Sequence, residues 1–168
     1  HHDGHKYITD LNQKGIKNFI IEKDTNINLQ DANIIYVESS INALQIIADS
    51  HREKFQIPVV GITGSNGKTI VKEWLSQVLN KDFLIVKNPK SYNSQIGVPL
   101  SMWQINSFHQ LGIFEAGISQ VDEMEKLERI IKPTIGIFTN IGTAHDEGFD
   151  NRKQKIEEKL KLFKHVSL

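Results

Sequence analysis

Gly61-Ile62-Thr63-Gly64-Ser65-Asn66-Gly67-Lys68-Thr69 is the stretch that decides the fold. An apolar run, Ile57-Pro58-Val59-Val60, precedes it, and Ile70, Val71, Trp74, Leu75 and Val78 follow at helical spacing. Strand, glycine-rich turn, Lys-Thr and helix, in that order, build a phosphate cradle. Gly64 and Gly67 let the backbone bend tightly and come close to an anion. Loop amides and the helix N-terminus then offer N–H donors. In that reading Lys68 reaches β- and γ-phosphates and the Thr69 hydroxyl holds Mg²⁺. The general pattern, G-x-x-x-x-G-K-[ST], requires glycine where this chain has Ile62, so the loop, with glycines at 61, 64 and 67, is a variant form.

Outward from the loop, apolar runs alternate with helical spacing. Strands are expected at 82–86, 111–114 and 134–138, a short helix at 97–105, a helix on Val121, Met124, Leu127 and Ile131 stopped by Pro133, and a last helix from about Arg152. Trp74, Trp103, Phe114 and Phe163 are assigned to the core. The pattern predicts an α/β fold with a doubly wound, mostly parallel, P-loop-containing sheet over residues 56–168. Ligands of such sheets bind beyond the carboxyl ends of the strands. The loop, Glu115 and Asn140 to His145 should therefore share one sheet edge. Residues 1–55 read as a smaller, partial α/β domain. It has a short helix ending near Gly15, strands at 18–21 and 33–37, and a helix capped by Ser39 or Ser40 whose charged end includes a solvated His51.

Composition narrows the function. Twenty Lys plus Arg balance twenty Asp plus Glu, which is no nucleic-acid footprint. The absence of cysteine excludes disulfides, a thiolate metal site and a cysteine nucleophile. No apolar run approaches membrane-spanning length.

Five further positions are candidates for chemistry. Glu115 ends an apolar run; beside a P-loop strand such a carboxylate binds Mg²⁺, and without one it is a surface acid. His145 is a metal-site group or a satisfied loop histidine, and Asp146-Glu147 a solvated turn. Lys159 stands apart from the solvated Lys153, Lys155, Lys161 and Lys164, because it shares a helix face with Ile156 and Phe163. It either points inward or snorkels to water. Asn93 and Gln95 either bind substrate or cap the following helix.

Together these residues resemble the Mur ligase family, ATP-dependent amide-bond ligases that build the peptide of bacterial cell-wall precursors. The resemblance rests on Gly61 to Thr69, Asn93 to Leu100, Phe114 to Ile118 and Thr139 to Phe149, and on Asp3 to Ile8 in the first unit. Within the family it points to the branch that adds D-alanyl-D-alanine to UDP-MurNAc-tripeptide. The wording of 90–100 is similar to a form fused to an alanine racemase. Alternatives are another Mur- or folylpolyglutamate-type ligase adding an amino acid, or a non-catalytic P-loop nucleotide-binding module. The resemblance implies that Thr63, Gly64, Ser65, Asn66, Gly67, Lys68 and Thr69, with Asn140, form the ATP site, and that Asn93 meets substrate. It implies that Thr69 and Glu115 bind Mg²⁺, that His145 serves a second Mg²⁺, and that Lys159 is carbamylated by CO₂ and helps organise the metals. Lys68, Lys159 and His145 are then the catalytic set. Ser94 departs from the family's usual Asn-Asn pair at 93–94. A cytoplasmic place in peptidoglycan synthesis, and so in cell shape and division, is implied, with a monomeric enzyme. Segments of the family's first, central and third domains are expected to be missing, leaving this piece inactive by itself.

Overall fold

The computed structural model describes residues 3–23, 29, 31–142 and 146–166. Its two compact units, His1–Ala43 and Leu44–Leu168, divide inside one helix. In the first unit a 3-10 turn leads into α1 (Ile8–Gln13), followed by strands β1 (Asn18–Glu22) and β2 (Asn33–Val37). The strands pair in parallel, Phe19 opposite Ile34 and Ile21 opposite Tyr36. Ile8, Phe19 and Ile21 are its buried apolar side chains. Helix α2 (Ser40–Arg52) starts under a cap made by Ser39, whose Oγ accepts the Asn42 amide at 3.3 Å. The Glu22 carboxylate accepts the Ser40 amide and hydroxyl at 3.0 and 2.9 Å.

The second unit is the doubly wound sheet that the sequence predicts. Its elements are β3 (Val59–Thr63), α3 (Lys68–Leu79), β4 (Ile85–Lys87), α4 (Gly97–Met102), β5 (Leu111–Glu115), α5 (Met124–Ile131), β6 (Ile135–Phe138) and α6 (Arg152–Leu160). All four strands are parallel, in the order β4-β5-β3-β6. Because side chains alternate along a strand, β3 and β5 feed two cores. Val59 and Phe114 pack on one face with Met102 of α4 and Leu127 of α5. Val60, Ile62 and Ile113 pack on the other with Val71 and Leu75 of α3.

Several boundaries and burials differ from the sequence reading. Trp74 and Trp103 are not core residues; they are 66% and 56% exposed. The inner face of α3 belongs instead to Val71 and Leu75 together with buried Lys72 and Ser76. Strand β4 starts at Ile85, leaving Phe83 and Leu84 exposed. Helix α5 starts at Met124, because Glu123 folds back to accept the Ser119 and Gln120 amides at 2.7 and 3.0 Å and holds 119–122 as a turn. It ends as expected before Pro133, with Lys132 in a left-handed cap. His51 is not simply solvated: its ring lies 4.4 Å from that of Trp103, and Nε2–H donates to the Ile105 carbonyl at 2.9 Å.

Candidate active site

Order β5-β3-β6 puts the loops after these three strands side by side. The loop after β3 is the glycine-rich turn. Gly64 has φ +141° and Gly67 φ +82°, a region that side chains disfavour. A Cβ on Gly64 would run into the Thr139 hydroxyl and stand 3.0 Å from the backbone of Asn140. That close approach locks the loop against the one following β6. Ser65 N–H donates to Asn140 O at 2.9 Å, Asn66 N–H to Asn140 Oδ1 at 3.1 Å, and Thr139 Oγ1–H to Asn66 O at 2.6 Å. The residues expected around a nucleotide, Thr63 to Thr69 and Asn140, are thus joined in one hydrogen-bonded unit. Gly67 caps α3 without a side-chain hydrogen bond. The first amides of the helix are therefore left for an anion.

Three ammonium groups face this turn. Lys68 Nζ donates to the Gly64 and Ser65 carbonyls at 2.9 and 3.2 Å. Lys159 Nζ, from α6, donates to the same Gly64 carbonyl at 3.3 Å. Lys155 Nζ donates to Gly142 O at 2.7 Å. Lys159 is 1% exposed, so of the two readings of its spacing the inward one holds. Burial, and then the positive charges of Lys68 and Lys155, push its amine down from 10.5 to about 8. Lys68 is also lowered, chiefly by burial, with Glu115 opposing the shift and Lys155 adding to it. Lys155, which the charged helix pattern assigns to solvent, is buried too.

On the β5 side Glu115 is fully buried. Thr69 Oγ1–H donates to its Oε2 at 2.9 Å, with Oε1 3.2 Å away. Behind it lies Lys72, whose Nζ is 3.3 Å from Oε1. Asn88 Oδ1 accepts the Glu115 amide at 2.6 Å. Neither Lys72 nor Asn88 stood out in the sequence. Asn93 reaches the same edge. Its carbonyl accepts the Gly117 amide at 2.8 Å, and its side chain lies so close that a Cβ on Gly117 would be 2.9 Å from Oδ1. Ser94 lies just ahead of α4, its Oγ accepting the Gly97 amide at 3.2 Å, and Gln95 Nε2 donates to Glu123 O at 3.1 Å. His145 lies outside the described residues. Glu147 is exposed in a 3-10 turn, as a solvated residue should be.

The Thr69–Glu115 pair fits a magnesium ion. An octahedral ion with oxygens at about 2.0–2.1 Å holds adjacent ligands about 2.9 Å apart. The hydroxyl and carboxylate oxygens stand at that separation. Among the described residues no cluster of three or more His, Cys, Asp or Glu forms a cage. Two cavities of this unit lie away from this pair. One, of about 660 Å³, is bounded by Arg52, Pro58, Lys132 and Thr134 at the amino end of the sheet. The other, of about 210 Å³, is an apolar hollow among Leu44, Ala48, Pro99 and Trp103.

Comparison with known proteins agrees with this geometry. The family model described as the Mur ligase middle domain matches residues 62–168. A UDP-N-acetylmuramoyl-tripeptide–D-alanyl-D-alanine ligase of Rickettsia prowazekii is 36% identical over 165 residues, covering 98% of this chain and 36% of that protein. The enzyme of the same name from Treponema pallidum is 34% identical over 172 residues, covering 97% and 38%. Among solved structures, MurF ligase from Thermotoga maritima in complex with ADP superposes with a TM-score of 0.87 at 32% identity, covering 98% of this chain and 38% of that one. MurF from Acinetobacter baumannii gives a TM-score of 0.90 at 26% identity, with 99% and 36% covered. The chain thus spans little more than a third of the length of these relatives.

Proposed function

The chain belongs to the Mur ligase family, with that family's middle domain at residues 62–168, and from that premise we propose that it is the ATP-handling part of a MurF-type ligase. Such a ligase joins D-alanyl-D-alanine to UDP-MurNAc-tripeptide in peptidoglycan synthesis. The relatives named for that reaction, matched over 97–98% of this chain, support the choice of branch over other Mur-type ligases. Residues 1–55 correspond in this reading to part of the UDP-sugar-binding domain, and 56–168 to part of the central ATP domain. The same proposal has the reaction in the cytoplasm, where ATP and a UDP-linked substrate are at hand, in a monomeric enzyme without nucleic-acid partners.

The observation that carries the reading is Lys159, brought from α6 to the phosphate turn with its amine lowered to about 8. Simple nucleotide binding gives such a lysine no task. About a tenth of a group with that pKa is neutral at pH 7, against fewer than one in a thousand for an ordinary lysine. The neutral amine can attack CO₂, forming an N–C bond and releasing a proton, so that a buried cation becomes a carbamate with two oxygen donors. Thr69, Glu115 and that carbamate would hold Mg²⁺, with His145 assigned to a second ion from its motif. The metal supplies charge neutralisation at the phosphates.

The chain's own residues account for the rest. The tripeptide's terminal carboxylate oxygen bonds to the γ-phosphorus as the bond to the β-phosphate oxygen breaks, giving an acyl phosphate and ADP. Lys68, exchanging the Gly64 and Ser65 carbonyls for phosphate oxygens, follows the charge that develops there. The turn amides and the N-terminus of α3 hold the anion in line. Asn93, seated against Gly117, orients the acceptor. The D-alanyl-D-alanine amine then attacks the acyl carbon, phosphate leaves, and the nitrogen loses a proton.

The chain is expected to bind ATP in a Mg²⁺-dependent way and, in ¹³C-bicarbonate, to show one protein carbamate signal that Lys159→Ala removes. Absence of both Mg²⁺-dependent ATP binding and the carbamate would overturn the reading.

A further inference from the structure

Helix α3 contributes more to the site than Lys68 and Thr69. One turn beyond Lys68, Lys72 is 0% exposed although it carries an ammonium group. Its Nζ donates to Asn88 O at 2.8 Å, to Lys90 O, and to Glu115 Oε1 at 3.3 Å. Glu73, on the same helix, has Oε1 3.4 Å from Nζ. Asn88 closes the network: its side chain accepts the Glu115 amide at 2.6 Å and donates to Glu115 O at 3.4 Å and Tyr92 O at 2.6 Å. A single ammonium thus ties the carboxylate at the end of β5 to the backbone that begins the 88–95 loop, which carries Asn93.

Both oxygens of Glu115 lie within reach of the Thr69 hydroxyl, Oε2 at 2.9 Å and Oε1 at 3.2 Å, and Oε1 also accepts from Lys72 at 3.3 Å. A carboxylate buried in this way needs a counter-charge and a fixed rotamer, and Lys72 provides both through Oε1. We propose that Lys72 is a positioning residue that holds Glu115 ready for a divalent cation and ties that cation site to the 88–95 loop. Groups behind a metal ligand typically change metal affinity about 10- to 100-fold when removed. This inference rests on the Mur-type reading of the Thr69–Glu115 pair.

The test is nucleotide binding by the chain with Mg²⁺ and with EDTA, alongside Mn²⁺ binding in the presence of ATP followed by electron paramagnetic resonance. The variants are Lys72→Met and Lys72→Gln. The second keeps a donor for the two loop carbonyls where loss of the ammonium impairs folding. The unaltered chain should bind ATP more tightly with Mg²⁺ than with EDTA. In the variants the EDTA affinity should be unchanged, while Mn²⁺ affinity falls about 10- to 100-fold and the advantage given by Mg²⁺ shrinks with it. A merely structural role for Lys72 would lower both affinities together, and that result would overturn the proposal. Unchanged Mn²⁺ affinity in either folded variant would overturn it as well. If the unaltered chain itself shows no metal-dependent binding, the ligase reading fails first and the inference falls with it.

Discussion

Replacing Lys159 with Met should make the protein more stable near neutral pH while removing the proposed carbamate. The side chain is 1% exposed and its amine is lowered from 10.5 to about 8. The unfolded chain therefore holds a proton on this lysine between about pH 8 and 10.5 that the folded chain does not. Where the unfolded state binds more protons, stability rises with pH. The folded protein thus bears a penalty that is fully present below about pH 8 and is relieved as pH climbs towards 10.5. A lowering of that size corresponds to about 3 kcal/mol. Methionine has nearly the same length and no charge, so it removes the penalty. It also gives up the bond to Gly64 O, at 3.3 Å, worth about 1 kcal/mol. The expected gain at pH 7 is about 2 kcal/mol, or roughly 4–8 °C in Tm for a chain of this size.

Urea unfolding in CO₂-free, metal-free buffer across pH 7 to 10.5 measures this directly. The unaltered chain should approach and then pass the variant in stability as pH rises, because only the unaltered chain has a penalty to lose. Bicarbonate at pH 8 should raise the Tm of the unaltered chain alone, since a carbamate formed only in the folded state stabilises that state by mass action. A Lys159→Met variant that is less stable at pH 7, with a pH profile parallel to that of the unaltered chain, would refute the reasoning. Lys159 would then not be a buried, destabilised cation.

Other positions give sharper local tests. Gly64→Ala forces a side chain into φ +141° and against Thr139. It should cost about 2–4 kcal/mol from backbone strain and the lost Thr139–Asn66 bond, and adding Thr139→Ala should recover part of that in urea unfolding. Thr69→Val removes the hydroxyl that meets Glu115; stability should fall by about 1 kcal/mol, and calorimetry should show ATP binding equal with and without Mg²⁺. Asn151→Ala removes the α6 cap, in which Oδ1 accepts the Gln154 amide at 2.9 Å, and thermal unfolding should register about 1 kcal/mol.

How much of this site was legible in the sequence follows from how local each signal is. The phosphate turn is written in nine consecutive residues, and strand before and helix after are set by their neighbours. Glu115 is marked by ending an apolar run, and Lys159 by sharing a face with Ile156 and Phe163. Lys72 carries no such mark. Its partners lie 16, 18 and 43 positions away, and only the sheet order brings them to it. Lys155 is hidden for the same reason, since a lysine within a charged helix reads as solvated until the fold buries it.

Helix α3 shows why the error on Trp74 and the silence on Lys72 have one cause. Apolar periodicity normally marks the buried face, and Ile70, Trp74 and Val78 do line up at four-residue spacing. They are nevertheless exposed. Lys68, Lys72 and Ser76 run at the same spacing, and Lys72 and Ser76 are buried. The face is polar because it brings one ammonium to the glycine-rich turn and another to Glu115. Val71 and Leu75, on the adjoining face, close the apolar core of the sheet. A helix whose inward stripe is used for charge cannot also use it for its largest hydrophobic side chains, so they lie outside. Where a functional site claims a buried surface, local patterning is expected to fail there first, and the failure on α3 coincides with the residues that handle charge.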